Sequence, residues 1–204
     1  MSEEGKWSAV YDRFALNYDR FMRPLERLGL SRLRARALAE VPEGSRVLEV
    51  GAGTGLNFPF YPRGCTHACV EPSREMLVRA DAKSDRPEGA LLVQARAEEL
   101  PFGAGAFDAA FATLVFCSVS SPARAFAELR RVVRPGGRVT LLKHVRPPNP
   151  LGYFFDALTR ITVPLLKDHF NRRTAEEARG AGLRVERVEN HLLGVVQLIV
   201  CRVE

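Results

Sequence analysis

Gly51, Gly53 and Gly55 alternate directly after the apolar run that ends at Val50, and Glu49 stands just ahead of them. Glycines in such a turn reach backbone angles closed to other residues and let a ligand approach the main-chain N–H groups. A second carboxylate, Glu71, follows Gly51 by twenty residues and ends the next apolar run. An acid at that separation can accept both hydroxyls of a ribose. Glycine turn and ribose acid together predict a nucleoside-containing ligand. A dinucleotide fingerprint would need glycine at position 56, where this chain has Leu56, and a phosphate-binding loop would end in Gly-Lys-Ser/Thr. No Lys or Arg stands in residues 47–62 to balance phosphate. Glu49 instead sets negative charge beside the turn, which suits a cation.

These groups need a scaffold. The runs 46–50, 66–72, 90–96, 107–116 and 138–145 read as buried strands. Helical segments fall between several of them, near 73–83 with Ser73 as N-cap and over 121–133 before Arg134-Pro-Gly-Gly. That alternation predicts an α/β fold with a doubly wound, mostly parallel sheet. The C-terminal end differs: 183–193 and 195–203 read as two strands joined near Gly194, an antiparallel hairpin closing the sheet. Ahead of the first strand, aromatics at 7, 11, 14, 18 and 21 share one helical face. A second helix is expected over 24–41, with Leu30, Leu33, Ala37, Leu38 and Val41 inward and Arg27, Arg32, Arg34 and Arg36 mostly outward.

At 204 residues, 46% hydrophobic and 26% charged, the chain is expected to form one globular domain. The net charge of +6, carried mostly by arginine, could draw it to phosphate or an anionic surface, or be spread over solvated faces. No leader or membrane-spanning run is read, and a cytoplasmic location is expected. Cys65, His67 and Cys69 alternate along one strand but find no fourth ligand at metal-site spacing, so no metal is expected.

The segments VLEVGAGTG, VEPSREML, AEELPFGAGAFDAAFATLVFCSV and ELRRVVRPGGRVTLLKHV resemble, in order and spacing, the motifs of class I S-adenosylmethionine-dependent methyltransferases of the small ubiquinone/menaquinone type. YDRFALNYDR is similar to that family's N-terminal aromatic segment. The resemblance implies a Rossmann-like, seven-stranded sheet with the last strand antiparallel, and S-adenosyl-L-methionine as cofactor. It implies a single methyltransferase domain: a lid over 1–42, a cofactor-binding core over 43–145, an acceptor-site insertion over 146–174, and a closing helix and hairpin over 175–204. It also implies roles. Glu49 and the Gly51–Ala52–Gly53–Gly55 backbone receive the methionine part, Glu71 and the adjoining Pro72 take the ribose side, Met76 packs on adenine, and Ala97 offers its N–H to the ring. The family often has Asp before that alanine; here it is Arg96, and Glu98 either substitutes or is a helix-start glutamate.

A sulfonium carries its own leaving group, so the protein mainly aligns donor and acceptor. His144, at the ligand-facing end of the fifth strand, is either a general base or a histidine bonded to backbone. Tyr18 is a second candidate catalytic residue and a cofactor contact as part of the lid, with Tyr11, or else both tyrosines serve helix packing. The apolar segment 146–174, with Tyr153, Phe154, Phe155 and flanking arginines, suggests a lipophilic acceptor, and with the basic N-terminal helix a peripheral contact with an anionic membrane. Phospholipid N-methyltransferases, lipophilic thiol methyltransferases and quinone methyltransferases all fit, though thiol enzymes commonly have Glu where Lys143 stands. No nucleic-acid partner is expected, since no base-flipping motif is present. An oxidoreductase is disfavoured by Leu56 and Glu49, and a non-catalytic cofactor-binding protein stays open.

Overall fold

The computed structural model describes residues 3–145 and 174–204, with side chains from residue 11 onward. Its centre is a seven-stranded sheet in the order β3-β2-β1-β4-β5-β7-β6. The strands are β1 (Arg46–Val50), β2 (Thr66–Glu71), β3 (Leu91–Gln94), β4 (Phe107–Thr113), β5 (Val133–His144), β6 (Leu183–His191) and β7 (Val196–Val203). All pairs are parallel except those of β7, which runs antiparallel to both β5 and β6. The expected sheet and closing hairpin are therefore both present.

Both faces are covered, as continuous apolar strands require. Leu48, Ala110, Ala112, Val139 and Leu141 pack under α4 (Pro122–Val132) against Phe126 and Leu129. Val47, Ala109, Phe111 and Leu142 pack on the other face against Leu33, Ala37 and Leu38 of α2 (Ser31–Leu38). Helix α3 (Arg74–Asp81) begins at Ser73, whose hydroxyl accepts from the Met76 N–H as a cap should. Helix α5 (Thr174–Gly180) adds Ala178 to the core beneath β6.

Three expectations need correcting. The N-terminal region is not two plain helices. Helix α1 (Glu3–Leu25) runs into a wide π-type turn over Glu26–Leu30, because Gly29 takes φ 120° and breaks the regular ladder before α2. Arg34 does not point outward: it is 3% exposed. It lies four residues from Leu30 and four from Leu38, and so on the inward stripe. Strand β4 also stops three residues early. Leu114 adopts φ 61°, which turns the following residues out of the sheet. A left-handed leucine is strained, and such strain collects where a site must be shaped. The segment expected to cover the acceptor site, Thr174 apart, lies outside the described residues.

Candidate functional site

A cavity of about 530 Å³ opens at the carboxyl ends of β1, β2, β4 and β5 beneath α1. This is the crevice that open α/β sheets use for ligands. Gly51 and Gly53 form its floor, Glu71, Pro72 and Met76 one wall, and Ala97 and Glu98 the far end. Tyr11, Phe14, Tyr18 and Met22 of α1 roof it, while His144 closes the β5 side. Nine of the expected site residues thus meet in one space: Tyr18, Gly51, Gly53, Glu71, Pro72, Met76, Ala97, Glu98 and His144. Ala52, Gly55 and Glu49 do not line it. Gly55 faces Phe58 instead, where an added Cβ would sit 2.4 Å from the ring.

The Glu71 carboxylate is held from both sides, accepting from the Gly53 N–H and the Ser73 N–H at 3.0 Å each. Burial raises its pKa to about 7, against those two hydrogen bonds, and the negative charges of Glu49 and Asp12 add to the rise. Burial also raises the Tyr18 hydroxyl to about 12, so it is a donor and not a base at neutral pH. Burial alone would raise Glu98 too, but Ser120, Ser121 and Arg96 outweigh it and the net shift is downward. Its Oε1 accepts from the Ser120 N–H (2.8 Å), the Ser120 hydroxyl (2.7 Å) and the Ser121 N–H (3.2 Å). Arg96 stands 3.5 Å from its other oxygen. Glu98 therefore clamps the β4–α4 loop to the end of the cavity.

Glu49 is buried beside the cavity in a polar network. It accepts from Asn57 Nδ2 at 2.5 Å and from the Tyr61 hydroxyl. Burial raises its pKa, with Asn57, Tyr61 and the Arg34 charge opposing. Arg34 Nη1 donates to Asn57 Oδ1 (2.8 Å) and Thr113 Oγ1 (2.6 Å), and its Nε to Glu26 (3.0 Å). Among the described residues no three His, Cys, Asp or Glu side chains converge to hold a metal.

The roof is tied down by two acids the sequence reading passed over. Asp12 Oδ1 accepts from the Ser73 hydroxyl (2.5 Å) and the Glu75 N–H (3.3 Å). Asp19 accepts from the Thr54 hydroxyl at 2.5 Å and pairs with Lys83 at 3.0 Å. Each follows a tyrosine that faces the cavity, and seven residues separate them, two helical turns. That repeat was the available signal. Asp12→Ala combined with Asp19→Ala will cut amide-exchange protection of α1 about tenfold, leaving the sheet unchanged, because partly exposed acids contribute about 1 kcal/mol or less each. Equal loss of protection in β1 and β4 would contradict this.

The floor is less tolerant. Gly51 has φ 74°, and a Cβ there would fall 2.2 Å from Val115 Cγ2. Gly51→Ala will destabilise the protein by about 2–3 kcal/mol, from left-handed backbone plus overpacking. A thermal melt checks it, and Val115→Ala in the same chain will recover part of the loss.

The family described as "Methyltransferase domain" matches residues 48–141. Ubiquinone/menaquinone biosynthesis C-methyltransferase UbiE of Hahella chejuensis is 30% identical over 175 residues, 80% of this chain and 70% of that protein. The chain belongs to the class I S-adenosylmethionine-dependent methyltransferases. Human thiol S-methyltransferase TMT1B is 39% identical over 106 residues, 50% of this chain and 43% of that protein, so the chain spans less than half of this relative. Phosphatidylethanolamine N-methyltransferase of Cereibacter sphaeroides is 39% identical over 134 residues, 62% of this chain and 65% of that protein. In fold, the chain is similar to a Thermotoga maritima structure described as a SAM-dependent methyltransferase and possible histamine N-methyltransferase. The TM-score is 0.75 at 24% identity, covering 97% and 99% of the two chains.

S-adenosylmethionine is the cofactor of this family, and the cavity suits it. Its volume falls in the range of small-molecule sites. A Cβ at Gly53 would meet nothing within 4 Å, so bare main chain faces open space beside the Glu71 carboxylate.

Proposed function

We propose that this methyltransferase acts on a lipid or lipophilic small molecule, with the amine of phosphatidylethanolamine as first candidate. One observation carries the reading. The helix that roofs the cavity with Tyr11, Phe14, Tyr18 and Met22 turns apolar and basic side chains to solvent on its other sides. Leu16 is 73% exposed and Phe21 62%, and Leu28 just beyond the helix is 73% exposed, among the exposed Arg13, Arg20, Arg23 and Arg27. Apolar groups interleaved with arginine suit a peripheral contact with an anionic bilayer. An acceptor drawn from that bilayer would enter beside the same helix. Among the described residues no helix is long and apolar enough to cross a membrane.

When bound, S-adenosylmethionine supplies a methyl group on a sulfonium that leaves as a neutral thioether. In this reading Glu71 and the Gly51–Gly53 main chain hold the ribose and amino-acid ends, while Met76 and Ala97 receive the adenine. Helix α1 excludes water, and the Tyr18 hydroxyl stays protonated as a donor. An amine arrives as an ammonium and must lose one proton before its lone pair can attack. His144 is the imidazole at the acceptor side of the cavity and takes that proton. The 39% identity to a phosphatidylethanolamine N-methyltransferase supports the amine, and the equal identity to a thiol S-methyltransferase supports a thiol as the second reading.

The test is methyl transfer from labelled cofactor to phosphatidylethanolamine vesicles, lipophilic thiols and quinols in parallel. Label in the phospholipid, falling as salt rises, is the expected result. Label confined to thiols or to quinols moves the acceptor there, and label in none of them overturns the reading.

A further inference from the structure

The turn that joins β6 to β7 is built from residues that such turns disfavour. Leu192 and Leu193 take φ 49° and 57°, ahead of Gly194 at 85°. Left-handed backbone crowds the Cβ of an L-residue, and asparagine or glycine fits it far better. The two leucines gain little core in return: Leu192 is 44% exposed and Leu193 80%. Backbone strain held at an exposed apolar tip points to a contact outside the fold.

The tip stands at the cavity mouth. Val196 pairs with His144 on one side and His191 on the other, and the Val145 N–H donates to the Val195 carbonyl at 2.8 Å. His144 closes the β5 side of the cavity, so the turn lies just past that wall. The tip also reaches the π-type turn after α1, where a Cβ on Gly29 would stand 3.8 Å from Leu192 Cδ2. Exposed Arg27 and Leu28 directly precede Gly29. The apolar and basic surface of α1 therefore continues onto the hairpin. A protein interface buries about 800 Å² on each side, far more than a two-residue tip offers. A bilayer needs no matching surface: each apolar side chain that enters it counts by itself, and arginine meets the anionic headgroups. We infer that the Leu192–Leu193 tip is a second membrane-inserting element, which together with α1 turns the cavity mouth toward an anionic bilayer. The inference rests on the membrane contact read for α1.

Sedimentation of the full chain with vesicles of phosphatidylglycerol and phosphatidylcholine tests it. Leu192→Asn with Leu193→Gly places residues suited to the angles and will weaken vesicle binding about tenfold, the loss expected when a leucine no longer leaves water. The same variant will keep or raise the melting temperature and bind S-adenosylhomocysteine as the wild type does, since the turn is relaxed and the cavity untouched. In a second chain, Leu193→Trp with Trp7→Phe leaves one indole at the tip. Its emission will shift to the blue on vesicles and be quenched by brominated acyl chains. Unchanged vesicle binding in the turn variant, or an indole that stays unquenched on bound protein, overturns the inference. A dimer in solution that the turn substitutions abolish overturns it too, since the tip is then an interface between copies of this chain. The reading for α1 fails separately: Leu16→Ser with Phe21→Ser then leaves vesicle binding intact. Methyl transfer confined to soluble thiols, with the tip still quenched, removes the lipid acceptor and leaves the tip as a membrane element.

Discussion

Glu71→Gln will weaken S-adenosylhomocysteine about a hundredfold, measured by calorimetry at pH 8. Hydrogen bonds to a charged group contribute about 1.5–3 kcal/mol each, and a ribose offers two hydroxyls to this carboxylate. The effect has a pH signature in the wild type. In the free protein Glu71 titrates near pH 7, because burial disfavours its charge. Only the ionised form can accept both ribose hydroxyls, so affinity will fall with pH below about 7, by up to tenfold per unit. Stability of the free protein runs the other way. A folded pKa raised from 4.5 to about 7 means the native state binds the proton more tightly than the unfolded chain. This contribution is fully present below pH 4.5 and lost as pH rises through 7, on the order of 3 kcal/mol. Free-protein stability will therefore decline across that window, and Glu71→Gln will reduce the decline. Buried Glu49, also raised, leaves a residual slope of the same sign. An affinity flat from pH 5 to 8 in the wild type would contradict the assignment.

The sheet was legible because its strands are short apolar runs, with Gly or Pro directly after β1 and β2, and their order follows from the connections between them. The cavity was legible in part for the same reason: Gly51, Gly53 and Glu71 sit where strands end. What escaped was polar and long-range. Arg34, Asn57 and Thr113 are 23 to 79 residues apart along the chain and meet only after β1, β4 and α2 have packed. Arginine counts as a surface residue by default, and that prior hid the one on the inward stripe. Glu98 shows the converse. Its type and place allowed an adenine ligand, but three donors from Ser120 and Ser121 now occupy one of its oxygens, a loop contact no local pattern announces.

The buried arginine also sets the second large effect. Arg34→Met keeps most of the side-chain volume but removes every donor. It leaves the Glu26 carboxylate without its partner, the Asn57 carbonyl without a donor and one Thr113 lone pair empty. Glu49, whose charge Arg34 favours, is pushed further toward its neutral form. Breaking a buried ion pair by deleting one partner costs about 3–5 kcal/mol when the other charge stays buried, and because Glu26 keeps 17% of its side chain exposed the low end, about 3 kcal/mol, applies. For a chain of this length each kcal/mol lowers Tm by about 2–4 °C, so a cost of about 3 kcal/mol lowers it by about 6–12 °C. Glu26→Gln in the same chain will recover a measurable part, since Glu26 is then no longer an orphaned charge. The coupling between the two sites is the decisive quantity. If Arg34→Met costs less than about 1 kcal/mol and the pair is additive, Arg34 does not hold α2 to the floor of the site. The sheet core would then bear that load through Leu33, Ala37 and Leu38 alone.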